Sequence, residues 1–410
     1  MNVPFVSPAL LADPQPAEGV LVLANARLFD GTGAAVREDA TVVIQDGYIA
    51  DIAPPVDVPI IDLEGRFLMP GLIDVHTHLA EQPDIEIVEG MEPLLPGTRG
   101  HLVASVARRA LQMGITTVRD VGARDDSVLE VRQAMRHGAF PGPRILTCGR
   151  IVSATSPGGR HFEGMYREAD GPDEMRKAAR EQIRRGADFV KIMMTGARSV
   201  ELENPDHSQV TRQELAALVD EAHRQGYRVA AHCEGLEGTV LAIEEGVDTI
   251  EHGFYLNERP DLLERMAASG QVLVPTLSFL KDIADQRYDS WSDHLVERGS
   301  FNVEQANKTL MAAIDAGVSV AMGFDSKSEE FAASELGLMV GAGMSTSDAL
   351  VAATSIGAAA IGLGGLIGTI ESGKLADLVV VDGDPLADIS VLTEPDRIHM
   401  VLRGGQALSL

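Results

Sequence analysis

Residues 211–253 read TRQELAALVDEAHRQGYRVAAHCEGLEGTVLAIEEGVDTIEHG, and in that stretch helical patterns alternate with short apolar runs. Thr211 and Glu214 have the spacing of a capping box that opens the helical segment RQELAALVDEAHRQG. Gly226 closes that helix and Gly246 the next, each just before an apolar run. RVAAHC (228–233) and DTIEHG (248–253) read as buried strands. Working outward, the same rhythm takes in FLMPGLIDVHTHL (67–79), ITTVRDVG (115–122), RILTCG (144–149), DFVKIMM (188–194), VLVPTL (272–277) and VSVAMGFDS (318–326). MRKAAREQIRRGA (175–187) supplies another helix, and Gly186 and Gly317 are further helix ends. Eight apolar strands in a βα order over about 300 residues fit an α/β fold of the (β/α)₈ TIM-barrel type. A doubly wound open sheet is the alternative, and the strand count favours the barrel.

The flanks are different. VLVLANARLFDG (20–31), ATVVIQDGYIADIAP (40–54) and a third run ending at Phe67 are short β-type segments with Asp-Gly turns. ADLVVVDGDP (376–385) and HMVLRGGQAL (399–408) resemble them at the other end. The expected organisation is therefore a Pro-rich tail at 1–18, a small composite β-sandwich from 19–67 plus 368–410, and a catalytic barrel at 68–367.

With 410 residues, the chain has room for such a barrel and a second domain. A formal charge of −27 argues against a nucleic-acid partner and disfavours anionic membrane surfaces. Cys148 and Cys233 are the only cysteines, too few for a disulfide framework or a cysteine-based zinc site. No run approaches the 18 or so apolar residues of a membrane span. The opening MNVPFVSPALLADPQPAEG lacks a basic region and is broken by proline, so it does not read as a signal peptide. A chain already trimmed of one would look the same, and the compartment stays open, with the cytoplasm slightly favoured.

The ionisable residues that stand out fall at strand ends, the face on which barrels build their active sites. His76 and His78 in DVHTHL share one face of the first strand by their period of two. His232 ends the fifth strand and His252 the sixth. A lone histidine of this kind is more often structural, but four that converge point to a metal, because imidazole is the commonest metal ligand. Asp325 in GFDS ends the eighth strand as a ligand or a base, with helix capping as the plain alternative. Lys191 interrupts the apolar DFVKIMM, where an unpaired ammonium is costly. It is a paired structural lysine, a Schiff-base nucleophile, or a lysine carbamylated by CO₂ that bridges two metals. The neighbouring histidines and aspartate favour the third.

This set, with the phrases PGLIDVHTHL (70–79) and GKLADLVVVDGDPL (373–386), resembles the binuclear amidohydrolase superfamily. Within it the chain resembles the subgroup of prolidase-like and lysine/arginine carboxypeptidase-like enzymes that includes ochratoxinase. The resemblance implies that His76, His78 and Asp325 hold one metal, that His232 and His252 hold the other, and that carbamylated Lys191 bridges them. It further implies zinc as the usual metal, and a hydroxide between the metals that attacks a carbonyl while Asp325 carries the proton. Tyr255 in EHGFYL resembles a substrate-contacting tyrosine of the subgroup. His161, after the loop SPGGR, lies one position from where relatives carry a Gly-Gly-His-Gly histidine; with Asp325 and Tyr255 it completes the catalytic candidates. Arg160 or Arg198 could bind a substrate carboxylate through a bidentate pair. The loops 79–99 and 195–210 are expected at the pocket mouth.

The activity implied is hydrolysis of an amide or peptide bond in a dipeptide or N-acyl amino acid, with ochratoxin A a candidate, by a homo-oligomer, octamers included. A cyclic-amide hydrolase or deaminase of the same superfamily is the alternative, and a catalytically dead barrel scaffold a distant third. GLGGLIG (362–368) and ESGKLAD (371–377) superficially suggest nucleotide loops. The first follows a helical stretch and enters the C-terminal β region, so it reads as a turn, and the second lacks the spacing and the Ser/Thr of a P-loop.

Overall fold

The computed structural model describes residues 17–50, 58, 60–81, 97–285, 293–326 and 332–408. Residues 1–16 of the expected tail and most of the loop 79–99 lie outside the described residues. The chain opens with β1 (Val20–Leu28), β2 (Arg37–Gln45), β3 (Tyr48–Ala50), β4 (Ile60–Asp62) and β5 (Phe67–Pro70). Next come β6 (Leu72–Thr77), β7 (Ile115–Asp120), β8 (Arg144–Thr147), β9 (Ile151–Ser153), β10 (Tyr166–Glu168), β11 (Phe189–Met193), β12 (Arg228–Cys233), β13 (Thr249–His252), β14 (Val272–Val274) and β15 (Ser319–Val320). The last strands are β16 (Leu378–Val381), β17 (Ile398–Arg403) and β18 (Gln406–Ala407).

Strands from both ends of the chain join in one 8-stranded sheet, ordered β18-β17-β16-β5-β1-β2-β3 with β4 on β1. Its apolar side buries Leu23, Leu28, Val42 and Ile44 from the first part of the chain against Leu378, Val380 and Leu402 from the last. The middle forms two sheets with parallel pairing throughout, β6-β7-β8 and β10-β9-β11-β12-β13-β14-β15. Every residue of β6, β7, β11 and β13 is buried, as expected of parallel strands covered on both faces. Val75 N donates to Met322 O (3.0 Å) and Asp325 N to His76 O (2.8 Å), so the segment after β15 is bonded to β6.

The stretch FLMPGLIDVHTHL does not form one strand. β5 pairs antiparallel with β16, β6 pairs parallel with β7, and the chain passes from one sheet to the other at Gly71. A Cβ at that glycine would meet Thr116 Oγ1 at 2.1 Å, so only glycine fits the crossover. The sequence reading also missed β9 and β10. Residues 362–368 are turns and bends, as read from their position.

The helices between the strands are α1 (Thr98–Gln112), α2 (Ser127–Arg136), α3 (Pro157–His161), α4 (Pro172–Arg185), α5 (Arg212–Arg224), α6 (Leu236–Glu244), α7 (Pro260–Ser269), α8 (Leu277–Ala284), α9 (Asp293–Asp315) and α10 (Ser334–Gly341). α5 starts at the expected capping box, Thr211 accepting from Glu214 N while Glu214 accepts from Thr211 N. Gly186, with φ 100°, caps α4 in the left-handed conformation.

Glu221 ties α4 to α5. Its carboxylate, 1% exposed, accepts from Arg180 Nε at 2.8 Å, Arg180 Nη2 at 2.9 Å and Arg224 Nη2 at 2.6 Å. The bidentate Arg180 bond is the main reason its carboxyl falls to about 2. A carboxyl depressed in the folded state contributes stability above its unfolded pKa and loses it as pH falls through the folded value. Glu221→Gln is therefore expected to lower stability by about 1–2 kcal/mol at pH 7, a figure discounted for the exposed arginines. Urea melts of both proteins across pH should show the gap closing between about 4.5 and 2; a gap that stays constant would contradict the assignment.

Candidate metal centre

The strand ends of the parallel sheets bring the sequence candidates together. His76 lies in β6 and His78 one residue beyond it; Lys191 is central in β11; His232 is next to last in β12 and His252 last in β13. Asp325 falls five residues past the short β15, and its backbone bond to His76 O sets its position. Asp74 Oδ1 accepts from His76 N (2.9 Å) and Phe324 N (3.2 Å), which fixes the two ligand-bearing segments side by side.

The imidazoles form a chain, with ring centroids 5.8 Å apart for His78–His76, 5.1 Å for His76–His252 and 4.5 Å for His252–His232. Asp325 Oδ1 lies 3.4 Å from His76 Nε2 and 3.6 Å from His78 Nε2, and the ligand atoms of these three residues all fall within 4.8 Å of one another. His252 Nε2 and His232 Nδ1 face each other at 2.9 Å.

Neighbouring acceptors decide which ring nitrogen carries the hydrogen. His78 Nδ1 faces Gly122 O at 2.9 Å, and a carbonyl can only accept, so Nδ1 carries the hydrogen. Glu251 does the same for His76 Nδ1 at 2.7 Å. Thr276 gives its hydroxyl hydrogen to Pro275 O (2.8 Å) and so accepts from His252 Nδ1 at 2.7 Å. In all three rings the lone pair is then on Nε2, which faces Asp325 in His76 and His78 and His232 Nδ1 in His252. Glu335, buried on α10, accepts from Leu277 N and Ser278 N at 2.8 and 2.7 Å and steadies the turn that carries Thr276.

Burial keeps three of the imidazoles uncharged, pushing His78 down to about 4 and His232 down to about 3, with His252 also well below its usual value. For His76 burial is the largest single influence, but Asp325 and Glu251 together overcome it and raise the imidazole. Burial likewise lowers the Lys191 ammonium, whose charge bears on all four rings. Lys191 Nζ is buried with no hydrogen-bond partner among the described residues. Asp325 is lowered, His76 and His78 outweighing its burial. Three imidazoles held neutral, a fourth whose Nε2 faces Asp325, an ionised carboxylate and a buried amine form a donor set that fits divalent cations.

The backbone at the centre is unusual as well. His252, Tyr255, Thr276 and Asp325 have φ of 70°, 72°, 49° and 46°. Left-handed backbone is uncommon outside glycine and, for β-branched Thr276, a genuine outlier.

Tyr255 donates to Asn302 Oδ1 (2.9 Å), and its ring centroid lies 5.6 Å from the Arg198 guanidinium and 6.5 Å from the Phe301 ring. Arg198 is buried and already engaged by Glu234 and Asp206, each at 3.1 Å, so it is not a free receptor for a substrate carboxylate. His161 is exposed at the end of α3; its ring meets Phe162 at 4.7 Å, and burial, Arg124 and Glu203 govern its titration, none of them part of the imidazole chain. Arg160 beside it is exposed. Glu203 accepts from Ser156 Oγ (2.7 Å), Gly158 N (2.8 Å) and Ala197 N (2.8 Å), and so joins the loops that follow β9 and β11. Cys148 and Cys233 are buried free thiols. No helix among the described residues is long and apolar enough to cross a membrane.

A parallel α/β frame that gathers imidazoles, a lysine and an aspartate at its strand ends is that of an enzyme. The profile of the amidohydrolase family matches residues 67–408, and the chain belongs to that family. It is similar to the ochratoxinase of Aspergillus niger, 30% identical over 432 residues that span 97% of this chain and 88% of that protein. Imidazolonepropionase of Paracoccus denitrificans is 26% identical, over 91% of this chain and 95% of the enzyme. Among solved structures, a Xaa-Pro dipeptidase with bound methionine in its active site superposes with a TM-score of 0.84 at 28% identity, over 95% of this chain and all of that one. A. niger ochratoxinase superposes equally well, with a TM-score of 0.84 at 28% identity, over 95% and 96% of the two chains. The protein is a hydrolase that acts on C–N bonds.

Proposed function

We propose that this amidohydrolase uses two divalent cations, zinc by its donor set, to cleave the amide bond of a dipeptide or small N-acyl amino acid, aromatic amides of the ochratoxin kind included. The observation that carries the proposal is the convergence of His76, His78, His232, His252 and Asp325 around Lys191, whose buried Nζ has no hydrogen-bond partner among the described residues. We read the two parallel sheets as one (β/α)₈ barrel, supported by the bonds that join the segment after β15 to β6.

His76, His78 and Asp325 would hold one cation and His232 and His252 the other. Lys191, its charged form disfavoured by burial, would add its amine to CO₂, giving a carbamate and releasing one proton. The carbamate would replace a buried cation with an anion among these ligands. Bound cations supply Lewis acidity to a carbonyl and lower the pKa of water toward about 7. Asp325, ionised at neutral pH, takes the proton of the attacking water and returns it to the leaving nitrogen. Tyr255 and Phe301 offer an aromatic wall to the substrate side chain, and exposed Arg160 is the cation we propose for a substrate carboxylate, since Arg198 is engaged by Glu234 and Asp206.

The test is product analysis with metal-loaded protein on a panel of dipeptides, N-acyl amino acids and ochratoxin A. Release of a free amino acid is expected; no hydrolysis anywhere in the panel would sink the proposal. A cyclic amide is the second possibility, favoured by the similarity to imidazolonepropionase, and a ring-opened acid would identify it. Arg160→Gln is expected to raise KM roughly tenfold for substrates with a free carboxylate and to leave neutral amides unchanged, an effect of one charge-assisted bond. An equal change for both substrate classes would exclude Arg160 from carboxylate binding.

A further inference from the structure

Beneath the imidazoles lies a charge pair that the hydrolytic scheme does not use. Glu251 in β13 is fully buried. Its Oε2 lies 2.7 Å from His76 Nδ1 and its Oε1 accepts from Arg119 Nη2 at 2.7 Å; Thr249 Oγ1 donates to the same Oε1. Arg119 in β7 is 3% exposed. Its Nη1 donates to Thr249 Oγ1 at 3.0 Å, its Nε to Val75 O, and its guanidinium lies 5.2 Å over the Phe189 ring. Arg119 therefore grips the backbone one residue before His76, while Glu251 grips the His76 ring one residue before His252.

Stability gives no reason for such an arrangement. Desolvating two charges costs about as much as their attraction returns, and well-packed apolar replacements are often neutral or stabilising. What the pair does accomplish is geometric. An ionised carboxylate only accepts, so it requires the hydrogen on His76 Nδ1 and turns the Nε2 lone pair toward Asp325, 3.4 Å away. Carboxylates placed behind ligating histidines fix the tautomer and ring orientation in this way.

We propose that Arg119 and Glu251 are positioning residues for the metal centre: they hold His76 in its Nε2-ligating form and tie it to the strand that carries His252, which sets the affinity of the position formed by His76, His78 and Asp325. This inference rests on the two-cation reading above. Neither residue is a catalytic residue, since neither reaches the substrate or the reacting atoms.

The test is zinc titration of chelator-stripped protein in competition with a chromophoric chelator, with melting curves recorded alongside. Wild type is expected to take up two tight equivalents per chain. Glu251→Gln is expected to weaken one equivalent by roughly 10- to 100-fold and to leave the other in place, the usual cost of losing such a partner. Because that variant strands a buried arginine, the double variant Arg119→Met/Glu251→Gln removes both charges and is expected to fold with the same selective loss. Two wild-type affinities in either folded variant would overturn the inference, as would equal weakening of both equivalents, the mark of a merely structural role. A wild-type protein that binds fewer than two zinc ions overturns the two-cation reading and this inference with it.

Discussion

Exchanging Lys191 for alanine is expected to reduce hydrolysis on the order of 10³-fold or more, about 4 kcal/mol of barrier, and to lower the zinc content from two equivalents per chain to one or none. The same substitution should leave the fold intact. Lys191 Nζ is buried without a hydrogen-bond partner among the described residues, so its removal takes away an unsatisfied polar group rather than a bond. With both proteins stripped of metal, so that bound zinc does not raise the wild-type value, a melting temperature equal to or above wild type, together with lost metal uptake and activity, separates a functional lysine from a structural one. Carbamate formation adds a second readout. Stripped wild-type protein reloaded with zinc in CO₂-depleted buffer should recover activity only after bicarbonate is added. Full recovery without bicarbonate, or a Lys191→Ala variant that retains two zinc ions and activity, would return the residue to the Schiff-base or structural reading.

Asp325→Asn should lower kcat by roughly 10²- to 10⁴-fold, the range for loss of a positioned general base. Asparagine is the appropriate replacement because residue 325 has φ 46°, a conformation asparagine tolerates better than most residues. Loss of activity will then report the carboxylate rather than a distorted backbone. The sign of the pH dependence follows from the direction of its shift. Asp325 titrates below the usual carboxylate range because His76 and His78 outweigh its burial, so it stays ionised through neutral pH. Activity of wild type should therefore hold on mild acidification and fall only on the far acidic side. An asparagine variant with more than a tenth of wild-type kcat would remove Asp325 from proton transfer.

Much of the site was legible because its residues are of the wrong chemical type for their surroundings. His76 and His78 stood out by their period of two, and their Nε2 atoms do meet at one Asp325 oxygen. Lys191 stood out as a charge in an apolar strand, and it is buried among the imidazoles. The same signal was present in ITTVRDVG and DTIEHG, where Arg119 and Glu251 interrupt strands of the same kind, but the histidines drew attention away from them. Asp74 and Thr276 left no comparable trace, since a short polar residue beside a strand end is ordinary until its partner from a distant strand is known. Long-range pairing also explains the misread crossover. Pro70-Gly71 is a turn-type dipeptide, yet the apolar run continues through it, and only the pairing of β5 with β16 reveals a change of sheet. The partners of Arg198 were equally hidden: Glu234 follows β12, far along the chain from Arg198. Tyr255 is bonded to Asn302, and the ring that meets His161 is Phe162, which is not part of the imidazole chain.

The left-handed backbone at Tyr255, Thr276 and Asp325 places this enzyme under two opposed kinds of selection. Each such position withholds about 1 kcal/mol or more from the fold, and asparagine or glycine would recover part of it. A laboratory screen for heat resistance alone should therefore enrich substitutions at these three positions, and the survivors should be poor catalysts. Hardier versions of this protein that keep their activity will have to gain their stability elsewhere, in the helices and the end-to-end sheet, where no residue is asked to hold a substrate.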